Sequence, residues 1–242
     1  MSGHSHWAGI KHKKGIADAK RAKVFAKLAR VIVIAAREKG GNPDMNPSLR
    51  LAIEKARAGN MPADNIERAI KRGTGEGGGE MLEGFLYEAF GPAGVAVLIE
   101  GITDNKNRTL GELRKIMQDH GGRMAEQGSV QWMFDRRGVA VLSNIQYPIS
   151  NDAELKIIDA GAEDIQATED GILVYTAPDA VMEVKKKLEE AGLTVQEAGF
   201  DYIPKNPIAV TGENTRKQLE AFFEALDEHD DVQELYANIS PN

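Results

Sequence analysis

The amino-acid sequence predicts an α+β protein in three parts. An N-terminal helical bundle is followed by two ferredoxin-like α+β domains, the third domain inserted in the second. Three observations carry that expectation. Between residues 18 and 72 apolar residues recur at helical spacing, broken by glycine stops. From residue 81 the period falls to two. Charge also divides the chain: residues 1–72 hold 16 Lys and Arg against 6 Asp and Glu, and the remaining 170 hold 14 against 31. The overall net charge of −7 therefore joins a body of +10 to one of −17. A basic module on an acidic protein points to a polyanion-binding end, because phosphate contacts supply most nucleic-acid affinity.

The elements follow in order. Residues 1–16 are rich in Gly, His and Lys without periodicity and read as an extended arm. Asp18 can cap a helix that runs to Gly40-Gly41. At 100° per residue, Lys20, Lys23, Lys27, Arg30 and Arg37 fall within an arc of roughly 100°. Val24, Leu28, Val31, Ile32 and Ala35 fall on the neighbouring arc, which can pack inward. Asn46-Pro47 opens a second helix that stops at Gly59-Asn60. Asp64 and Glu67 resemble a capping box for a third, ended by Gly73.

Residues 73–80 (GTGEGGGE) read as a flexible linker, since no Gly-Lys-Ser/Thr follows to make a phosphate-binding loop. Strands are then expected near 86–90 and 95–99 around the turn Gly91–Gly94. A helix over 109–120 and strands near 129–134 and 139–142 come next. Beyond these the pattern is helix 153–160, strands 164–168 and 171–176, helix 179–191 and strand 195–202. The chain closes on strand 208–211, helix 215–228 and strand 232–239. Strand, helix, two strands, helix, strand over 134–205 matches a split β-α-β unit. A second unit forms if the C-terminal strand–helix–strand returns to residues 81–133. The domains are thus expected at 1–76, at 77–133 plus 206–242, and at 134–205.

Composition narrows the chemistry. No cysteine is present, which excludes disulfides, zinc-thiolate sites and cysteine nucleophiles. The longest early apolar run, Val31 to Ala36, is far short of the roughly 20 residues that span a bilayer. No secretory cleavage pattern follows it, so a cytoplasmic protein without a signal peptide is expected.

Four stretches together resemble one family. They are GHSHWAGIKHKKGIADAKRAKVFAKLAR at 3–30, NPSLRLAIEKARAGNMPADNIERAIKRGTG at 46–75, FGPAGVAVLIEGITDNKNRT at 90–109, and HGG with GSVQWMF between 120 and 134. This set is similar to the YebC/PmpR family, which includes the mitochondrial translational activator of cytochrome oxidase. The resemblance implies three domains around a cleft, with the C-terminus completing the middle one. It also implies a cytoplasmic, non-enzymatic regulator: a DNA-binding transcriptional regulator or, alternatively, a ribosome-associated factor that binds ribosomal RNA and relieves stalling at proline-rich stretches. One departure is visible. Where the family pattern expects Lys after Gly-His-Ser, this chain has His6, which lowers the arm's charge near neutral pH.

The candidate nucleic-acid-binding residues are Lys11, His12, Lys13, Lys14, Lys20, Arg21, Lys23, Lys27 and Arg30 as phosphate neutralisers. Trp7 either stacks on an unpaired base or staples the arm onto the bundle. Lys71 and Arg72 supply a second phosphate contact or complement the dipole of the third helix. No base-reading helix is evident, so backbone contacts on promoter DNA or ribosomal RNA are expected. His4, His6 and His12 have spacing that can hold a metal but lack a nearby carboxylate, and no metal or cofactor is expected. The cluster Asp104 to Arg108 reads as a turn with helix capping, and Trp132, Met133 and Phe134 as core. No small-molecule substrate is evident. The acidic remainder faces solvent, or is repelled by phosphate and so orients the basic end.

Overall fold

The structure, a computed structural model, describes residues 18–76, 81–143, 149–168 and 171–240, with side chains from residue 21 onward. Two compact units are divided at Phe134/Asp135 and at Ile203/Pro204.

The first unit opens with three helices: α1 (Asp18–Lys39), α2 (Pro47–Ala58) and α3 (Ala63–Gly73). Their shared core is Leu28, Ile32, Val33, Ala35 and Ala36 of α1, packed on Leu49, Ile53 and Ala56 of α2 and on Ile66 and Ala69 of α3. Gly73 is where α3 touches α1: a Cβ there would sit 2.5 Å from the Val33 carbonyl oxygen. The start of α2 is fixed by buried Asn46. Its Oδ1 accepts from Leu49 N at 3.0 Å, and its Nδ2 donates to the Ala35 and Gly40 carbonyls at 2.7 and 2.8 Å. One amide thus caps α2 and satisfies carbonyls at the end of α1. The third helix has no such cap. Pro62 occupies the cap position without a side-chain bond, and Asp64 lies inside the first turn, so the expected capping box does not form.

The same unit continues into a four-stranded antiparallel sheet. Its strands are β1 (Glu83–Phe90), β2 (Ala96–Thr103), the short β3 (Arg123–Met124) and β8 (Val232–Ala237), in the order β3-β1-β2-β8. Helix α4 (Lys106–Asp119) links β2 to β3, and α7 (Glu213–Asp227) precedes β8. Val95, Val97 and Ile99 line one face and pack with Leu113 and Met117 of α4 and with Leu219, Phe222, Phe223 and Leu226 of α7. The C-terminal strand therefore pairs with β2, with Leu98 opposite Tyr236. Where a strand was expected at 208–211, the backbone makes only an isolated bridge between Ile208 and Ile239.

The second unit holds β4 (Phe134–Leu142), α5 (Asn151–Ala160), β5 (Asp164–Thr168), β6 (Gly171–Thr176), α6 (Val181–Glu190) and β7 (Val195–Pro204). Strand order is β5-β6-β4-β7. Each helix crossover leaves one strand between the two it joins, as a split β-α-β requires. Ala140, Leu142, Ile172 and Val174 pack on Ile157 and Ala160 of α5 and Val184 and Leu188 of α6.

Two further expectations need correction. The helix expected from 109 starts three residues earlier, because Asn105 caps it: its Oδ1 accepts from Arg108 N at 3.1 Å. Residues 129–133 are not a strand; a short 3-10 turn over Gln131–Met133 leads into β4. Their backbone donors are claimed by Glu88 of β1, whose buried carboxylate accepts from the amides of Gly128, Val130 and Gln131. Burial alone would raise the Glu88 carboxyl; those three amides outweigh it and hold the group below its ordinary value.

Asn46→Ala should lower the stability of the helical part by about 2–3 kcal/mol, from the lost cap plus two stranded carbonyls. Asn46→Asp keeps the cap acceptor but not the donors and should recover no more than about 1 kcal/mol. Urea unfolding followed by helical circular dichroism measures both.

Candidate nucleic-acid interface

The predicted basic residues separate into three sets. Trp7, Lys11, His12, Lys13 and Lys14 lie outside the described residues, as do His4 and His6, and Lys20 falls in α1 with its side chain outside them. Arg21 is exposed near the start of α1, and Lys71 and Arg72 are exposed in the last turn of α3. Lys23, Lys27 and Arg30 do something else. They turn toward the C-terminal end of α7 and the acidic segment Asp227–Asp231 that follows it.

These contacts run along successive turns of α1. Lys23 Nζ donates to the Glu228 carbonyl and lies 3.3 Å from Asp230 Oδ1. Lys27 Nζ donates to the Asp227 carbonyl at 2.7 Å. Arg30 Nη1 reaches Asp231 Oδ1 at 2.5 Å, the Asp230 carbonyl at 2.9 Å and the Ile102 carbonyl at 3.2 Å. A helix C-terminus leaves carbonyls unpaired and carries a partial negative charge, so cations are favoured there. Two more bonds follow the same direction: Arg37 Nη1 to the Leu82 carbonyl at 2.8 Å, and Lys55 Nζ to Glu234 Oε1 at 2.7 Å.

Asp231 is the centre of this junction. Its side chain is 3% exposed. Besides Arg30 on Oδ1, it accepts at Oδ2 from Arg108 Nη2 at 2.8 Å and Thr109 Oγ1 at 2.6 Å. Its own carbonyl accepts from Ile102 N at 2.8 Å. That approach requires Gly101, where a Cβ would lie 2.3 Å from the Asp231 carbonyl oxygen. Burial pushes the carboxyl up, but the hydrogen bonds from Thr109, Arg108 and Arg30 outweigh it and hold it down at about 2. Arg108, bonded also to Asp104 at 2.7 Å, is raised further above its ordinary range by both carboxylates.

Glu112, His229 and Asp231 place potential ligand atoms within 4.8 Å of one another. The donor set does not suit a metal. His229 Nδ1 accepts from Asp231 N at 3.2 Å, and its Nε2 lies 3.0 Å from Glu112 Oε2. Both Asp231 oxygens are already taken by cations and a hydroxyl. The group is an ion-pair network rather than a cation cage.

The expectation that Trp132 is core is corrected: it is 63% exposed, while Phe134 is buried. Its indole N–H is spent on the Ser129 carbonyl at 2.9 Å. Asp231 and Arg108 were not among the candidate residues. The two are 123 positions apart, and nothing local in either stretch marks the pairing.

Comparison with known proteins now decides the family. A model described as the TACO1/YebC protein N-terminal domain matches residues 5–76. A second, described as the TACO1/YebC second and third domain, matches 82–239. The chain belongs to the TACO1/YebC family. A relative from Thermotoga maritima, named a probable transcriptional regulatory protein, is 54% identical over 238 residues, covering 98% of this chain and 93% of its own. One from Halothermothrix orenii with the same name is 49% identical over 240 residues, covering 98% and 94%. The crystal structure of a conserved hypothetical protein from Aquifex aeolicus aligns with a TM-score of 0.86 at 43% identity, over 98% of this chain and 97% of that one. The family supports a regulatory role.

In this TACO1/YebC chain the Asp231 charge contributes stability with a defined pH window. Its folded carboxyl lies below the ordinary value of about 3.9, so the stabilisation is complete above about pH 4 and is lost as pH falls toward 2. Asp231→Asn should cost about 2–3 kcal/mol at pH 7. The gap between wild type and variant should close between about pH 4 and 2, read by urea unfolding at each pH.

Proposed function

We propose that the protein is a non-enzymatic, cytoplasmic regulator of transcription that binds DNA through phosphate contacts made by its N-terminal arm and helical bundle. The observation that carries this reading is the charge partition: +10 over residues 1–72 against −17 beyond. Exposed Arg21, Lys71 and Arg72 lie on that basic part, in line with Lys11, Lys13, Lys14 and Lys20 of the sequence. The name of the relatives, probable transcriptional regulatory protein, supports the regulatory part of this reading. Lysines without a base-reading helix bind backbone, so affinity should be broad in sequence and steep in salt. The acidic remainder is repelled by phosphate and presents the basic end first. Among the described residues no helix is long and apolar enough to cross a membrane.

The test is fluorescence anisotropy with duplex DNA and with a structured RNA between about 50 and 300 mM salt. Log affinity for duplex should fall linearly with log salt. Replacing Lys11, Lys13 and Lys14 together by Ala should flatten that slope by about 2–3. A slope untouched by the triple substitution removes the arm from the interface. Tighter binding to the RNA at matched salt moves the target to RNA such as ribosomal RNA.

A further inference from the structure

Lys23, Lys27 and Arg30 have the spacing and chemistry of a phosphate-binding row, yet the chain's own acidic segment fills them. We propose that Asp227–Asp231 is a built-in stand-in for a phosphate backbone, seated on α1 in the free protein and displaced when a polyanion binds. The displacement unlatches the helical bundle from the β1-β2-β8 sheet and adds three cations to the interface. This rests on the nucleic-acid reading above for the identity of the natural polyanion.

Four observations converge. The first is chemical equivalence. The three cations meet carbonyl and carboxylate oxygens at the negative end of α7, the same charge-assisted acceptors that phosphate oxygens provide. They rise along α1 by about 6 and 4.5 Å.

The second is the nature of the junction. The helical core draws its buried residues from α1, α2, α3 and the turn between the last two, and the sheet core draws none from them. Apart from Leu82, which packs against the helical core, the contacts that join the two include cation-to-carbonyl bonds and the ion pairs Lys23–Asp230, Lys27–Asp227, Arg30–Asp231 and Lys55–Glu234. Lys23–Asp230, Lys27–Asp227 and Lys55–Glu234 are reached by solvent, and pairs of this kind hold weakly and are screened by salt; Arg30–Asp231 is the buried member.

The third is what opening leaves behind. Stripping Arg30 from a buried carboxylate would ordinarily strand a charge. Asp231 instead keeps Arg108 and Thr109 on its other oxygen, so the exchange leaves it paired.

The fourth is access. Ala22 and Ala26, both small and exposed, leave an open groove of about 320 Å³ beside Lys23, Lys27, Arg30 and Asp230. An incoming polyanion can reach Lys23 and Lys27 before the acidic segment has left.

The cysteine-free chain allows direct measurement. Dyes on Glu67→Cys in α3 and Glu220→Cys in α7, both exposed, report the distance between bundle and sheet by energy transfer. Inorganic polyphosphate and duplex DNA are titrated in turn, with binding followed by anisotropy of a labelled duplex. The expected result is a fall in transfer that tracks polyanion occupancy. Asp227→Asn combined with Asp230→Asn should open at lower polyanion concentration and bind the duplex about three- to tenfold more tightly. Binding of DNA with unchanged transfer, or a double variant that binds no more tightly than wild type, overturns the latch and leaves the binding reading intact. Opening by polyphosphate with no DNA or RNA binding does the reverse: the latch stands and the proposed function falls.

Discussion

A carboxylate with a full charge sits inside the first unit of this protein, and its surroundings are arranged to keep it charged. Asp231 lies at the start of β8, takes Arg30 from α1 on one oxygen, and takes Arg108 and Thr109 from α4 on the other. One side chain therefore ties the helical bundle, the crossover helix and the C-terminal strand. The cost of burying a charge falls when it is paired and hydrogen-bonded, and both oxygens accept bonds, Oδ1 from Arg30 and Oδ2 from Arg108 and Thr109. The surrounding backbone yields to it: Gly101 has no side chain where the Asp231 carbonyl approaches, and the β2–β8 register shifts at Glu100/Gly101.

An ionic junction has consequences that an apolar one lacks. The fully buried residues fall into three separate cores, one in the helices and one on each sheet, with Leu82 before β1 packing against the helical one. Transfer of apolar surface is non-directional and is not screened by salt as charges are, and it would fuse bundle and sheet into one body. Ion pairs are directional, screened by salt and exchangeable for other anions. The charge partition of the chain is thus internal as well as external: part of the acidic body neutralises part of the basic one.

That partition also explains what the sequence could and could not show. Helix limits were legible because local chemistry sets them: the stop at Gly40, Asn46 before Pro47, and Gly59 all act within a few residues. The inward arc of α1 was legible for the same reason, with Leu28, Ile32 and Ala35 buried as periodicity requires. Periodicity says only which residues share a face, not what that face meets. Lys23, Lys27 and Arg30 do share one, but it meets carbonyls about 200 residues away in the chain. The apolar run at 130–134 failed for a related reason. Glu88, some 40 residues upstream, takes the amides that a strand would have used, and Trp132 is left outside.

The count of positive charge over residues 1–72 therefore overstates what an outside ligand meets first. Lys23, Lys27, Arg30 and Lys55 face the acidic body of the same chain. Of the other basic residues, Lys11, Lys13, Lys14, Lys20 and Arg21 fall in the arm sequence and the first turn of α1, and Lys71 and Arg72 in the last turn of α3. Electrostatic steering acts over roughly a Debye length, about 8 Å at physiological salt, so these clusters govern first encounter. Cations held at the junction act only at contact distance, after their resident anion has yielded. A chain with all its lysines presented at once would bind any polyanion in proportion to charge. One that holds some in reserve binds in two stages, and the second stage requires a ligand long enough to span from the arm to the middle of α1.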